Sequence, residues 1–215
     1  MSSLVEELQR DALSPQVSLV DLLRKALVVA KKLDVADFER WLTQELSGYP
    51  STDDYTAYPE YRILHGEVRA AVPGRYIPVI FTGPDAARLN RVYSRMPTAR
   101  PIAELESLVQ AHPEGLIISY TPEVQVQLMK GAGCPEPPAL HVPTHQLIGV
   151  LNSVKNIVLE WALRLEKDGI VGQGMSFSTE EKQTASSIHY SVTNFYGAIT
   201  GSAIQAGSPG APQNF

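Results

Sequence analysis

Leu4, Val5, Leu8 and Ala12 fall on one side of a short amphipathic helix, and Ser14-Pro15 breaks the pattern. From Leu19 onward, Leu22, Leu23, Ala26, Leu27, Ala30 and Leu33 recur at three- and four-residue spacing. Arg24, Lys25, Lys31 and Lys32 occupy much of the remaining surface, so this is a second amphipathic helix. Asp34 is placed to cap a third, "VADFERWLTQEL", whose buried stripe is Phe38, Trp41, Leu42 and Leu46 and whose stop is Gly48. Helices this short are marginal alone, so they are expected to pack together or against a sheet.

The period then changes. In "YRILHGEVRAAV", Leu64, Val68, Ala70 and Val72 alternate with His65, Glu67, Arg69 and Ala71, which predicts a half-exposed strand. "RYIPVIFTG" is its expected partner through a Pro73-Gly74 turn. "PDAARLNRVYSR" and "AELESLVQ" read as short helices, and "GLIISYTP" reads as a buried strand. "EVQVQLMK" fits helix or strand, and "CPEPPALHVP" reads as a loop or an edge.

The clearest periodicity follows: Leu147, Leu151, Val154, Val158, Trp161 and Leu165 alternate spacings of four and three. Such a seam suits a core helix or a coiled-coil face, and a run of fewer than four heptads favours the core. Lys167 and Gly169 mark its end. "FSTEEKQTA" starts one more helix, with Ser178 and Glu181 at capping-box spacing. The expected fold class is α+β: N-terminal helices packed on a small mixed or antiparallel sheet, with a long C-terminal helix.

With 215 residues, 44% hydrophobic and 19% charged, the chain has material for a real core. A net charge of −5 argues against a surface built to hold nucleic acid, which leaves room only for a local basic patch. Cys134 is the one cysteine, so no internal disulfide forms. The opening "MSSLVEELQRDAL" is acidic where a signal peptide has an apolar core, and no apolar run is long enough to cross a bilayer. A cytoplasmic protein without membrane contact is expected.

Catalytic spacings are missing. "GMSFS" lacks the last glycine of a nucleophile elbow, and "GIVGQG" follows a helix, the wrong context for a dinucleotide loop, so it reads as a flexible connector. Pro143 lies between His141 and His145, which disrupts the helical face those two would need to join Cys134 on a metal. No metal and no cofactor are expected. Two polar sets stand out. His65, Glu67 and Arg69 share one face of the predicted strand, about 7 Å apart, and suit either an acid–base site or a solvated ion-pair row. Arg88, Arg91 and Arg95, with Arg100 nearby and Tyr93 between, suit a phosphate-gripping stripe or a solvated basic face.

After Lys182 no Asp, Glu, Lys or Arg occurs up to Phe215. In-register stacking places each side chain about 4.8 Å from its copy, where like charges repel by roughly 1 kcal/mol even in water. An uncharged tail avoids that. Asn194, Phe195, Tyr196, Ile199, Ile204, Gln205 and Gly207 are the self-association candidates. The alternative is that the same β-prone stretch completes the domain's own sheet. The expected organisation is an α+β domain over 1–187 and an uncharged tail over 188–215.

The stretches "SLVEELQRDALSPQVSLVDLLRKALVVAKKL", "FERWLTQELSGY", "YPEYRILHGEV" and "WALRLEKDGIVGQGMSFSTEEK" resemble the AbiTii family of bacterial abortive-infection proteins. That resemblance implies defence against phage and transfers no catalytic residues. "GSAIQAG" is similar to the RHIM-like amyloid signalling motifs of bacterial defence proteins, with Ile204, Gln205 and Gly207 at the core positions. It implies a homo-oligomer, or a defence partner with the same motif. Three roles remain open: an effector or adaptor assembled by its tail, a nucleotide- or nucleic-acid-directed toxin using the arginines, and a binding module that senses a phage component.

Overall fold

The structure is a computed structural model and describes residues 3–134, 136–188, 190, 192 and 195. The element pattern is α+β, as expected. Among these residues, those up to Gly48 and from Asn152 onward form one compact unit, and Tyr49–Leu151 form the other.

The first unit is helical. It contains α1 (Leu4–Leu13), α2 (Leu19–Leu33), α3 (Ala36–Ser47), α8 (Thr179–Ser187) and most of α7 (Thr144–Lys167). Ser3 and Glu6 form a capping box at the start of α1, and Ser178 and Glu181 form another at the start of α8. The apolar stripes meet as one core. Leu8, Leu23, Leu33, Phe38, Leu42, Val158 and Trp161 are all sealed from solvent. The Phe38 and Trp161 rings stack with centroids 4.0 Å apart. The seam of α7 is therefore a core seam and needs no coiled-coil partner.

One cap is not where the sequence placed it. Asp34 closes α2 in the left-handed conformation (φ 59°), its N–H donating to Ala30 O and Lys31 O. Aspartate tolerates that region better than most residues. Val35 opens α3 without a side-chain cap.

The loop between α7 and α8 is pinned, which corrects the reading of "GIVGQG" as a flexible connector. Val171 N–H and Gly172 N–H donate to Glu181 Oε1 at 2.9 and 2.7 Å, and Ser178 N–H donates to Oε2 at 2.7 Å. Burial works against this carboxylate, but the donors from Gly172, Ser178 and Val171 hold its pKa below the ordinary 4.5. The resulting stability is present above pH 4.5 and is lost as pH falls through the lower folded-state pKa. Glu181→Ala is expected to lower stability by about 2–3 kcal/mol at pH 7. In urea unfolding, the gap between variant and wild type should narrow as pH falls below 4.5.

The second unit carries the strands: β1 (Ile63–His65), β2 (Glu67–Val72), β3 (Arg75–Pro78), β4 (Arg95–Pro97), β5 (Leu116–Ser119) and β6 (Ala139–Val142). Its helices are α4 (Ala86–Tyr93), α5 (Ile102–Ala111), α6 (Pro122–Ala132) and the first turns of α7. β1 pairs with β4, and the other four form an antiparallel sheet in the order β3-β2-β6-β5. The single strand predicted from "YRILHGEVRAAV" is thus two strands in two sheets, divided at Gly66. A Cβ on Gly66 would lie 2.4 Å from His141 O, so only glycine lets the chain pass β6 there.

Three further expectations change. "CPEPPALHVP" holds β6, a central strand framed by Pro138 and Pro143, which sit just outside it and remove no ladder bond. β5 is an edge strand with Ile117 54% exposed, not a buried one. Of the expected β-prone tail, Val192 and Phe195 are helical. Phe195 sets its ring edge-on to Phe38, centroids 6.1 Å apart. Asn194, Tyr196, Ile199, Ile204, Gln205 and Gly207 lie outside the described residues.

Candidate functional site

Side chains on the four-stranded sheet alternate between two environments. Val68, Ala70, Leu140 and Val142 are buried on one face. The opposite face carries Glu67, Arg69, Tyr76, Ile117 and His141, because Glu67 pairs with His141 and His141 with Ile117 in a cross-strand row. Tyr76 stands on the β2–β3 hairpin, whose turn needs Gly74 at φ +80°. Both Tyr76 (48%) and Ile117 (54%) are exposed although large and apolar.

With His65 and Glu114 these residues line an open cleft of about 670 Å³. The three strand-face residues singled out in sequence, His65, Glu67 and Arg69, all reach it. His65 sits on β1, where its N–H donates to Gln146 Oε1 at 3.1 Å. Arg69 Nε donates to Glu67 Oε2 at 2.6 Å. Gly115, at φ +126°, lets the chain run against β6, since a Cβ there would lie 2.5 Å from Val142 O.

His141, in a stretch expected to be a loop or an edge, lies on the central strand β6. Its ring meets Tyr76 edge-on, centroids 4.5 Å apart. Its Nε2 is buried and without a hydrogen-bond partner among the described residues. Burial pushes its pKa below the ordinary 6.5, the Arg69 guanidinium adds to that, and Glu67 opposes it. The imidazole is therefore neutral at pH 7, with one ring nitrogen to spare for donating or accepting. The signal was present in "ALHV", whose alternation puts Leu140 and Val142 on one face and His141 on the other.

The sign of the linkage follows. The unfolded chain takes up this proton more readily, so His141 makes stability fall as pH drops from 6.5 to its lower folded-state pKa, and not further. Arg69→Met should raise the His141 pKa, read by NMR titration of the ring protons. An unmoved pKa would remove the arginine from this balance.

The arginine stripe does not assemble on one helical face. Arg88 and Arg91 are on α4, where Arg88 pairs with Asp85 at 3.2 Å. The helix ends at Tyr93, which puts Arg95 on β4 with its guanidinium 5.4 Å from the centre of the Tyr55 ring. Arg100 is ion-paired with Glu104. Among the described residues no three His, Cys, Asp or Glu side chains group as a metal site, and no helix is long and apolar enough to cross a membrane.

The family model of AbiTii matches residues 3–190. The chain belongs to the AbiTii family. Membership makes it a bacterial abortive-infection defence protein, the coarse function expected from the four quoted stretches. The AbiTii match takes in residues of both compact units and ends at residue 190, inside the run that carries no Asp, Glu, Lys or Arg after Lys182. No curated protein and no solved structure matches the chain.

Proposed function

We propose that this AbiTii protein is the effector or adaptor of an abortive-infection response in the cytoplasm, and that it engages its ligand through the sheet-face cleft around His141. The C-terminal tail, 188–215, would then link copies of the chain, or a defence partner with a similar RHIM-like motif, to the AbiTii-like domain of 1–187. The observation that carries the recognition role is the cleft. It gathers a neutral histidine with an unspent nitrogen, an ion pair and two exposed apolar side chains on a solvent-facing sheet. Ligand sites combine apolar area with a few convergent polar groups in this way. For the tail, the support is the run without charge after Lys182.

A toxin acting on nucleic acid through the arginine stripe has less support, because Arg88, Arg95 and Arg100 sit on separate elements with separate local partners. Phage plating on cells carrying single variants distinguishes the readings. Arg69→Met should abolish protection, and Arg88→Glu with Arg91→Glu should leave it intact. The reverse pattern would transfer the function to α4.

A further inference from the structure

Among the described residues β5 pairs only with β6 and β4 only with β1. On the outer edge of β4 the Tyr55 hydroxyl donates to Arg95 O at 3.3 Å and Pro97 has no N–H, so the open ladder groups are those of β5. No backbone hydrogen bond joins β4 to β5 among the described residues. Between them lies a groove of about 800 Å³, lined by all four residues of β5 and by Met96, Pro97 and Thr98. Alternate strand residues point to opposite faces, so a groove touched by every successive residue runs along the strand edges. Its other lining includes Leu64, Leu105 and Leu147, all buried.

One end is closed. Tyr120, next after β5, donates its hydroxyl to Tyr93 O, just before β4, at 2.6 Å. The two edges therefore run antiparallel from a common end. Arg100, the only Lys, Arg, Asp or Glu in the lining, is held by Glu104.

We propose that this slot accepts an extended segment as an added strand, and that the occupant is the uncharged C-terminal run of a second copy, within residues 196–215. Unpaired N–H and C=O groups on a strand edge recruit a strand, with alternate side-chain pockets setting register. A charged strand would be desolvated there without compensation, and "YGAITGSAIQAG" carries no charge and has β-branched Ile199, Thr200 and Ile204. Slot and segment on one chain make a head-to-tail contact, which links copies into a series. This inference rests on the reading that the tail assembles copies, and supplies the surface that receives it.

The test uses full-length chains with Cys134→Ser. One chain carries Ser119→Cys, and a second set carries single cysteines at positions 199, 201, 203 and 205. Mixed under mild oxidation, the two should form a disulfide-linked heterodimer at one or two of these positions. Met175→Cys, on an exposed residue, should form none, and Ser119→Arg should reduce the assembly seen by light scattering. Assemblies without any such disulfide would leave tail assembly standing and overturn the slot. Monomers without disulfide would overturn both. A chain carrying both cysteines that closes on itself, with no link between copies, would make its own tail the occupant and overturn the second copy.

Discussion

Trp161→Ala is expected to remove about 3–5 kcal/mol of stability, a large share of the roughly 5–15 kcal/mol that holds a domain folded. Trp161 is fully buried and is stacked on Phe38, which also packs against Trp41 at 4.9 Å. Truncation leaves a cavity beside Phe38 in the core of the helical unit, which the helices cannot close without losing their own contacts. Trp161→Phe should cost much less. It keeps the ring stack and removes an indole N–H that is buried without a hydrogen-bond partner among the described residues. Urea unfolding of both variants checks the order, and equal losses would mean that a ring stacked on Phe38 recovers none of the stability lost with the indole.

Gly115→Ala is the second large effect. Two penalties fall on one methyl: the backbone is at φ +126°, and the new Cβ would sit 2.5 Å from Val142 O. The cost is expected to be about 2–4 kcal/mol, overpacking added to left-handed strain. It falls where β5 enters its pairing, Leu116 opposite Val142, so the cleft should lose its floor together with the strand. Gly74→Ala separates the terms. Gly74 also has positive φ, but nothing lies within 4 Å of a Cβ there, so only about 1–2 kcal/mol is expected. Hydrogen exchange at Val142 should rise in Gly115→Ala and stay low in Gly74→Ala.

The helices were legible because their signal is local. Spacings of three and four mark the buried stripes of α1, α2, α3 and α7, and the caps at Ser178 and Gly48 lie within a few residues of the ends they serve. Asp34 was misplaced because the same side chain that caps an N-terminus also tolerates the left-handed C-terminal position. The strands were harder, since pairing is settled by residues distant in sequence. β6 is four residues between prolines, and its central position comes from β2 and β5 on either side. The break at Gly66 reflects contact with His141, 75 positions away, counted from the two residue numbers. For the same reason half of the cleft could be read directly: His65, Glu67 and Arg69 are near neighbours in sequence, while His141, Tyr76 and Ile117 join them only through sheet register. The arginine stripe failed in the opposite way. Its helical spacing is genuine up to Arg91, but the helix stops at Tyr93 and the chain turns into β4.

The most direct test of the recognition face is phage plating on cells that carry His141→Asn, with the variant's melting temperature measured alongside. Asparagine keeps a polar group on β6 and removes the imidazole that meets Tyr76 and faces Arg69. A folded variant on which phage plates as freely as on cells without the protein is the predicted result. Full protection by that variant would contradict the proposal that the sheet face is where this protein meets its ligand.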